Sequence, residues 1–105
     1  MKKFISIMSM VTKRKNIIFH WNNDLVLRGD IDTFFETDNG LEMDEEGYLE
    51  YYAMIVRITK VIRDSKILKD VNLCNSKEGI LIELSELNQP TKVVLENGEV
   101  VWSTE

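Results

Sequence analysis

The chain is poor in the residues that most often carry chemistry. Its 105 residues include one cysteine, one histidine and one proline. A disulfide needs two cysteines, so no internal disulfide can form, and a lone thiol is typical of a cytoplasmic protein. A single histidine also excludes a histidine-rich site for a transition metal.

Several familiar motifs are missing as well. The chain has no glycine-rich phosphate-binding loop and no nucleophile-elbow motif. No apolar run approaches the roughly 18 residues needed to span a bilayer. We therefore expect no cofactor and no association with a membrane.

The N-terminus starts with two lysines and a short apolar run, but it lacks the small-residue cleavage site of a secretory signal. Met8 and Met10 are alternatives to Met1 as the start of translation. We expect a single domain over residues 1–105, with residues 1–12 as a poorly ordered extension.

Alanine is almost absent, and this favours strands over helices. Ala53 is the only alanine beside eleven isoleucines, and isoleucine prefers strands whereas alanine prefers helices. We predict a mostly β fold, a small antiparallel barrel or sandwich of five or six strands with a C-terminal hairpin. The segments expected to form strands before that hairpin are 17–21, 25–28, 48–63 and 80–87.

The stretch 48–63 fits both a helical stripe and a strand face, so its periodicity does not decide its structure. Six of the eight residues in 55–62 are β-branched, which crowds a helix and suits a strand. We predict one long strand, and the alternative is an α+β fold with a helix over 44–54. One short helical turn is expected within 64–73.

The sequence TKVVLENGEVVWS ends the chain with two β-branched runs around Asn97-Gly98. Asn-Gly suits a two-residue type I′ turn, which would place Val93 opposite Trp102 and Leu95 opposite Val100. Alternation then predicts that Val93, Leu95, Val100 and Trp102 face the core.

Charge is distributed unevenly along the chain. Residues 30–50 hold nine acidic and no basic side chains, whereas residues 1–29 hold six basic and one acidic. The acidic residues do not fit the calcium-loop template, so we expect a solvated loop and no metal site. With the tyrosines that follow, this segment is a candidate surface for binding a basic protein. The residues assigned to it are Asp38, Glu42, Asp44, Glu45, Tyr48, Tyr51 and Tyr52.

A second interpretation is a small β-barrel that binds nucleic acid. A basic cluster precedes an aromatic strand, and such a pattern can combine phosphate contacts with base stacking. The overall acidity of the chain argues against it, since nucleic-acid-binding domains are usually basic. The residues that would act are Lys13, Arg14, Lys15, Phe19 and Trp21.

A third interpretation is a small enzyme that uses His20 or Cys74, a base and a nucleophile. Neither residue lies in a recognisable catalytic motif, so a catalytic role is the less favoured reading.

The first interpretation is favoured over both alternatives. The chain has the general character of a small bacterial or phage protein, and we predict a non-enzymatic protein-interaction module in the cytoplasm. An acidic inhibitor or an immunity-type protein that acts on a basic partner is its concrete form. A homodimer formed by edge pairing of residues 55–62 is a further alternative.

Overall fold

A computed structural model of the chain describes residues 3–22, 24–38, 40–63 and 79–104. Within these residues the protein forms one sheet of six antiparallel strands and one short helix. The mostly β fold and the C-terminal hairpin are thus confirmed. In chain order the elements are α1 (Phe4–Met8), β1 (Ile17–His20), β2 (Val26–Asp38), β3 (Glu50–Arg63), β4 (Leu81–Leu84), β5 (Lys92–Val94) and β6 (Val100–Ser103).

The strand order is β4-β3-β2-β1-β5-β6, so the described sheet is open between β4 and β6 and does not close into a barrel. Strands β1 to β4 are consecutive neighbours, and the chain then crosses the sheet to place β5 beside β1. Asn88 shapes this crossing, because its side chain accepts from Ser85 N at 2.8 Å and donates to Glu83 O at 2.9 Å. Thr91 N then donates to His20 O at 2.7 Å and attaches β5 to β1.

The longest strands, β2 and β3, pair from Val26 opposite Arg63 to Asp38 opposite Glu50. The β-branched side chains of 55–62 suit this extended backbone, and the alternative helix over 44–54 is wrong. Ile55–Arg57 pair with both β2 and β4. Three of the eight residues in 55–62 are therefore interior, and those three do not offer the free edge on which the homodimer hypothesis was based.

The helix α1 lies in the segment that was expected to be a poorly ordered extension. Phe4 and Met8 are completely buried in the core, and the Phe4 ring meets the Trp102 ring edge-on with centroids 5.5 Å apart. Residues 4–8 are thus part of the packed domain. The helical turn expected within 64–73 lies outside the described residues.

The C-terminal hairpin has a different turn from the predicted one. Gly98 N donates to Leu95 O, Leu95 N donates to Glu99 O, and Gly98 alone in the turn has a positive φ, of 92°. This is a three-residue loop closed by a glycine bulge. A second irregularity then restores the predicted pair Val93–Trp102.

The two irregularities change which valine faces the core. Val94 pairs with Val100, and the extra residue Val101 packs against the core in its place. Val100 is 53% exposed, so its predicted inward orientation is wrong. The inward orientations of Val93, Leu95 and Trp102 agree with their burial or core contacts.

Candidate functional site

The paired strands β2 and β3 extend past their neighbours as a two-stranded ribbon. Strand β1 pairs with β2 only at Val26–Gly29, and β4 pairs with β3 only at Met54–Arg57. Over 32–38 and 50–53, β2 and β3 pair only with each other among the described residues. We call this ribbon (32–38 and 50–53) and the described part of its connecting loop (40–49) the acidic arm.

The acidic arm presents its carboxylates to solvent. All eight are exposed, and no salt bridge joins any of them to another described residue. The repulsion between neighbouring carboxylates is offset when a positive charge lies close to them. The arm therefore concentrates exposed negative charge on one part of the surface. Its acidic residues are Asp32, Glu36, Asp38, Glu42, Asp44, Glu45, Glu46 and Glu50.

We call Asp38 and residues 40–47 the tip of the arm, and local turns shape it. Asp38 Oδ1 accepts from Gly40 N at 2.9 Å, and Glu45 N donates to Glu42 O at 3.0 Å. Tyr48 N donates to Glu45 O at 3.2 Å and closes the loop. Residues 40–47 are all exposed, so these short-range bonds hold the carboxylates outward with little packing beneath them.

The three tyrosines of the arm differ in their surroundings. The Tyr48 hydroxyl donates to Glu50 Oε1 at 3.0 Å, and desolvation, this hydrogen bond and the charges of nearby carboxylates raise the pKa of the Tyr48 phenol. Tyr51 is half-buried, and desolvation followed by the charges of Glu83 and Asp38 raises its pKa. Tyr52 is 59% exposed and is the phenol ring most available to a partner.

A groove of about 510 Å³ lies between α1 and the base of the acidic arm (32–37 and 50–53). We call it the arm groove. Its walls combine apolar, aromatic and acidic side chains with one cation, Lys3. Its lining also includes Ile5, Ser6, Phe34, Glu50, Tyr52 and Glu86.

Two contacts fix the walls of the arm groove. Glu86 Oε1 accepts from Ile5 N at 3.0 Å, which joins α1 to the connection between β4 and β5. The Arg14 guanidinium carbon lies 5.2 Å from the centroid of the Phe34 ring, within the range of a cation–π contact. The arm is therefore attached to the N-terminal segment at its base.

The structure does not bring together a nucleic-acid site of the predicted kind. Phe19 is completely buried, so it cannot stack on a base, and this part of the prediction is wrong. Trp21 is half-buried and donates its indole N–H to Asn88 O at 3.0 Å. Lys13 and Lys15 are exposed, and Arg14 lies over Phe34.

His20 is half-buried in β1, with Val26 and Lys92 as its strand neighbours. Desolvation lowers the pKa of its imidazole, and the positive charges of Lys92 and Arg63 lower it further. Cys74 lies outside the described residues. In the described part of the chain, no cluster of three or more His, Cys, Asp or Glu side chains is placed to hold a metal ion.

Sequence reasoning singled out the tip and the tyrosines but missed the base of the arm. Glu36 lies opposite Tyr52 in the ribbon, and Phe34 lies opposite Met54. The strand pairing that makes Glu36 and Phe34 neighbours of Tyr52 could have been found only from the register of β2 against β3. No pattern in the sequence indicated that α1 would form the opposite wall.

The comparisons with known proteins point to one family. Residues 1–105 match the model of the family described as cognate immunity protein YxxD. No curated protein and no solved structure matches the chain. Among the described residues, no helix has the length and apolar character needed to cross a membrane.

Proposed function

The chain belongs to the family of YxxD cognate immunity proteins, and from this premise we propose that it neutralises its toxin by covering a basic surface of the toxin with the acidic arm. The observation that carries the proposal is the arm itself, with eight exposed carboxylates and no salt bridge from them to another described residue. An inhibitor that acts by occupying a surface needs complementary charge and a few large side chains. The acidic arm supplies both.

Charge and aromatic area have separate physical roles in this proposal. Exposed carboxylates act over about 8–10 Å at moderate salt, so the tip of the arm accelerates the encounter with a positively charged toxin. The tyrosines act only in contact, where large rings contribute most of the binding energy. The association rate should therefore depend on the carboxylates of the tip, and the dissociation rate on the tyrosines.

The first test removes the tip charges. The cognate toxin is recovered from the native host with the tagged protein as bait, identified by mass spectrometry and purified. The variant D38N/E42Q/D44N/E45Q should bind this toxin with an association rate reduced about tenfold or more in dilute salt, because steering is lost. In growth assays, it should rescue toxin-expressing cells less well than the wild type.

The control is E96Q/E99Q, which removes two exposed carboxylates from the β5–β6 turn. If general negative charge is what matters, E42Q/E45Q and E96Q/E99Q will slow association equally. The proposal requires a larger effect of E42Q/E45Q. Undiminished association and rescue by the four-site variant would show that another surface binds the toxin.

A further inference from the structure

Tyr52 has an acidic neighbourhood on its own face of the ribbon. Glu36 lies directly across the strand pair from it, where Cβ atoms are about 5 Å apart. Glu50 precedes it by two residues on the same face, which corresponds to about 6.6 Å along a strand. A flat exposed ring is thus flanked by two exposed carboxylates, and the ring and Glu50 both line the arm groove.

The more buried part of the arm groove is mainly apolar, with one carboxylate, Glu86, in its lining. Ile5 is nearly buried there, and Phe34 lies diagonally across the strand pair from Tyr52. Glu86 is held by the backbone of Ile5. An apolar stem would match Ile5 and Phe34, and a planar cationic end would match the Tyr52 ring and its neighbouring carboxylates. An arginine side chain has both parts.

The chain shows the same recognition mode within itself. Arg14 places its guanidinium 5.2 Å from the Phe34 ring centroid. Tyr52 is 59% exposed and has no comparable cation over its ring among the described residues. A second guanidinium on Tyr52 would gain the cation–π contact and, in addition, the charge of Glu36 and Glu50.

We propose that the arm groove receives an arginine side chain of the cognate toxin, with its guanidinium on the Tyr52 ring between Glu36 and Glu50. The inference rests on the proposed function for the identity of the partner. Arginine is favoured over lysine because its planar fork stacks on a ring and bonds carboxylates at the same time.

A peptide titration tests the arm groove without the toxin. The probes are three acetylated and amidated tripeptides, Gly-Arg-Gly, Gly-Lys-Gly and Gly-norleucine-Gly, each added to the isotope-labelled protein and followed by amide NMR. We expect saturable shifts for Ser6, Glu50 and Tyr52 with the arginine peptide, weaker ones with lysine, and none of this localised pattern with norleucine. Shifts of equal size for arginine and norleucine would overturn the proposal.

Substitutions at Tyr52 and the two carboxylates complete this test. Y52F keeps the ring face and should bind the arginine peptide within about twofold of the wild type, whereas Y52L should bind it about fivefold more weakly. E36Q/E50Q should weaken it more than E96Q/E99Q, although both pairs change the formal net charge from −5 to −3. Equal affinity of Y52L and the wild type would overturn the proposal.

The purified toxin separates this proposal from the proposed function. If both hold, Y52L should raise the dissociation rate of the toxin complex about tenfold, with the association rate nearly unchanged. If Y52L dissociates from the toxin at the wild-type rate while toxin binding still depends on the tip carboxylates, the arginine site is contradicted and the proposed function is not. If the four-site tip variant neutralises the toxin fully and the peptide results hold, the acidic tip is not the toxin-binding surface. The arginine site in the arm groove is then still supported.

Discussion

At the scale of single residues, Gly29 shows how one small side chain permits the pairing of two long strands. A Cβ at Gly29 would lie 2.6 Å from Val56 Cγ1 and 2.7 Å from Arg57 O. The register of β2 against β3 also shifts between Arg28 and Gly29. Glycine is therefore required here for close backbone approach.

His20 carries the residue-scale prediction. Its pKa is lowered by desolvation and by Lys92 and Arg63, so the native state disfavours the protonated imidazole. The unfolded chain binds that proton more readily between the native pKa and about 6.5. The contribution of His20 to the free energy of unfolding should therefore decrease as the pH falls through this window and become constant below the native pKa.

Because His20 is the only histidine, proton NMR of its ring can follow the titration directly. The midpoint should lie below 6.5, and H20N should flatten the decline in stability over the same pH window. A midpoint at or above 6.5 would contradict this account. So would a pH dependence of stability in H20N equal to that of the wild type.

At the scale of elements, α1 is a short helix that depends on its packing. Five residues are too few for a helix to be stable alone in water, and no side chain caps its start. Its burial against β3 and β6 stabilises it, since Phe4 and Met8 are fully enclosed. The helix in turn forms one wall of the arm groove.

F4A should lower the free energy of unfolding by about 3 kcal/mol or more, because it leaves a cavity in the core beside Trp102. M10A is the control, since Met10 is 59% exposed and its loss should cost no more than about 0.5 kcal/mol. Urea unfolding followed by tryptophan fluorescence measures both variants. A cost below 1 kcal/mol for F4A would mean that α1 is only loosely attached to the sheet.

At the scale of the whole molecule, we propose that the sheet and the acidic arm have separate tasks. The core of the described residues is built around β1–β5 and α1, whereas residues 40–47 at the tip are all exposed. An exposed loop contributes little apolar burial, and changes in its length alter stability only slowly. The stability of the fold and binding through the tip should therefore be separable.

Replacing residues 39–49 by Asn-Gly, directly between Asp38 and Glu50, should leave the free energy of unfolding within about 1 kcal/mol of the wild type. The same variant should associate with the toxin about tenfold more slowly in dilute salt, because it lacks the tip charges. Chemical unfolding and binding kinetics measure the two effects.

A tip of native length with Glu42, Asp44, Glu45 and Glu46 changed to amides separates charge from shape. It should associate as slowly as the shortened tip if charge alone is responsible. A loss of several kcal/mol of stability in the shortened variant would contradict the separation of tasks, since it would place the tip within the folding unit.

The sequence by itself determined the features that depend on local preference. The scarcity of alanine and the β-branched run at 55–62 predicted strands, because these side chains lose more freedom in a helix than in a sheet. Asn97-Gly98 located the last hairpin, and the unbroken acidic composition of 30–50 located a charged surface. Each of these follows from residues close together in the chain.

Only the tertiary structure decided the features that depend on distant residues. The burial of α1 required a sheet that turns an apolar face towards it, and the exposure of Val100 required a bulge that local turn preference does not encode. The arm groove joins residues 5 and 6 to residues 34, 52 and 86, and no local pattern specifies that meeting. Packing selects such contacts because it acts on whole faces at once, whereas sequence patterns report one segment at a time.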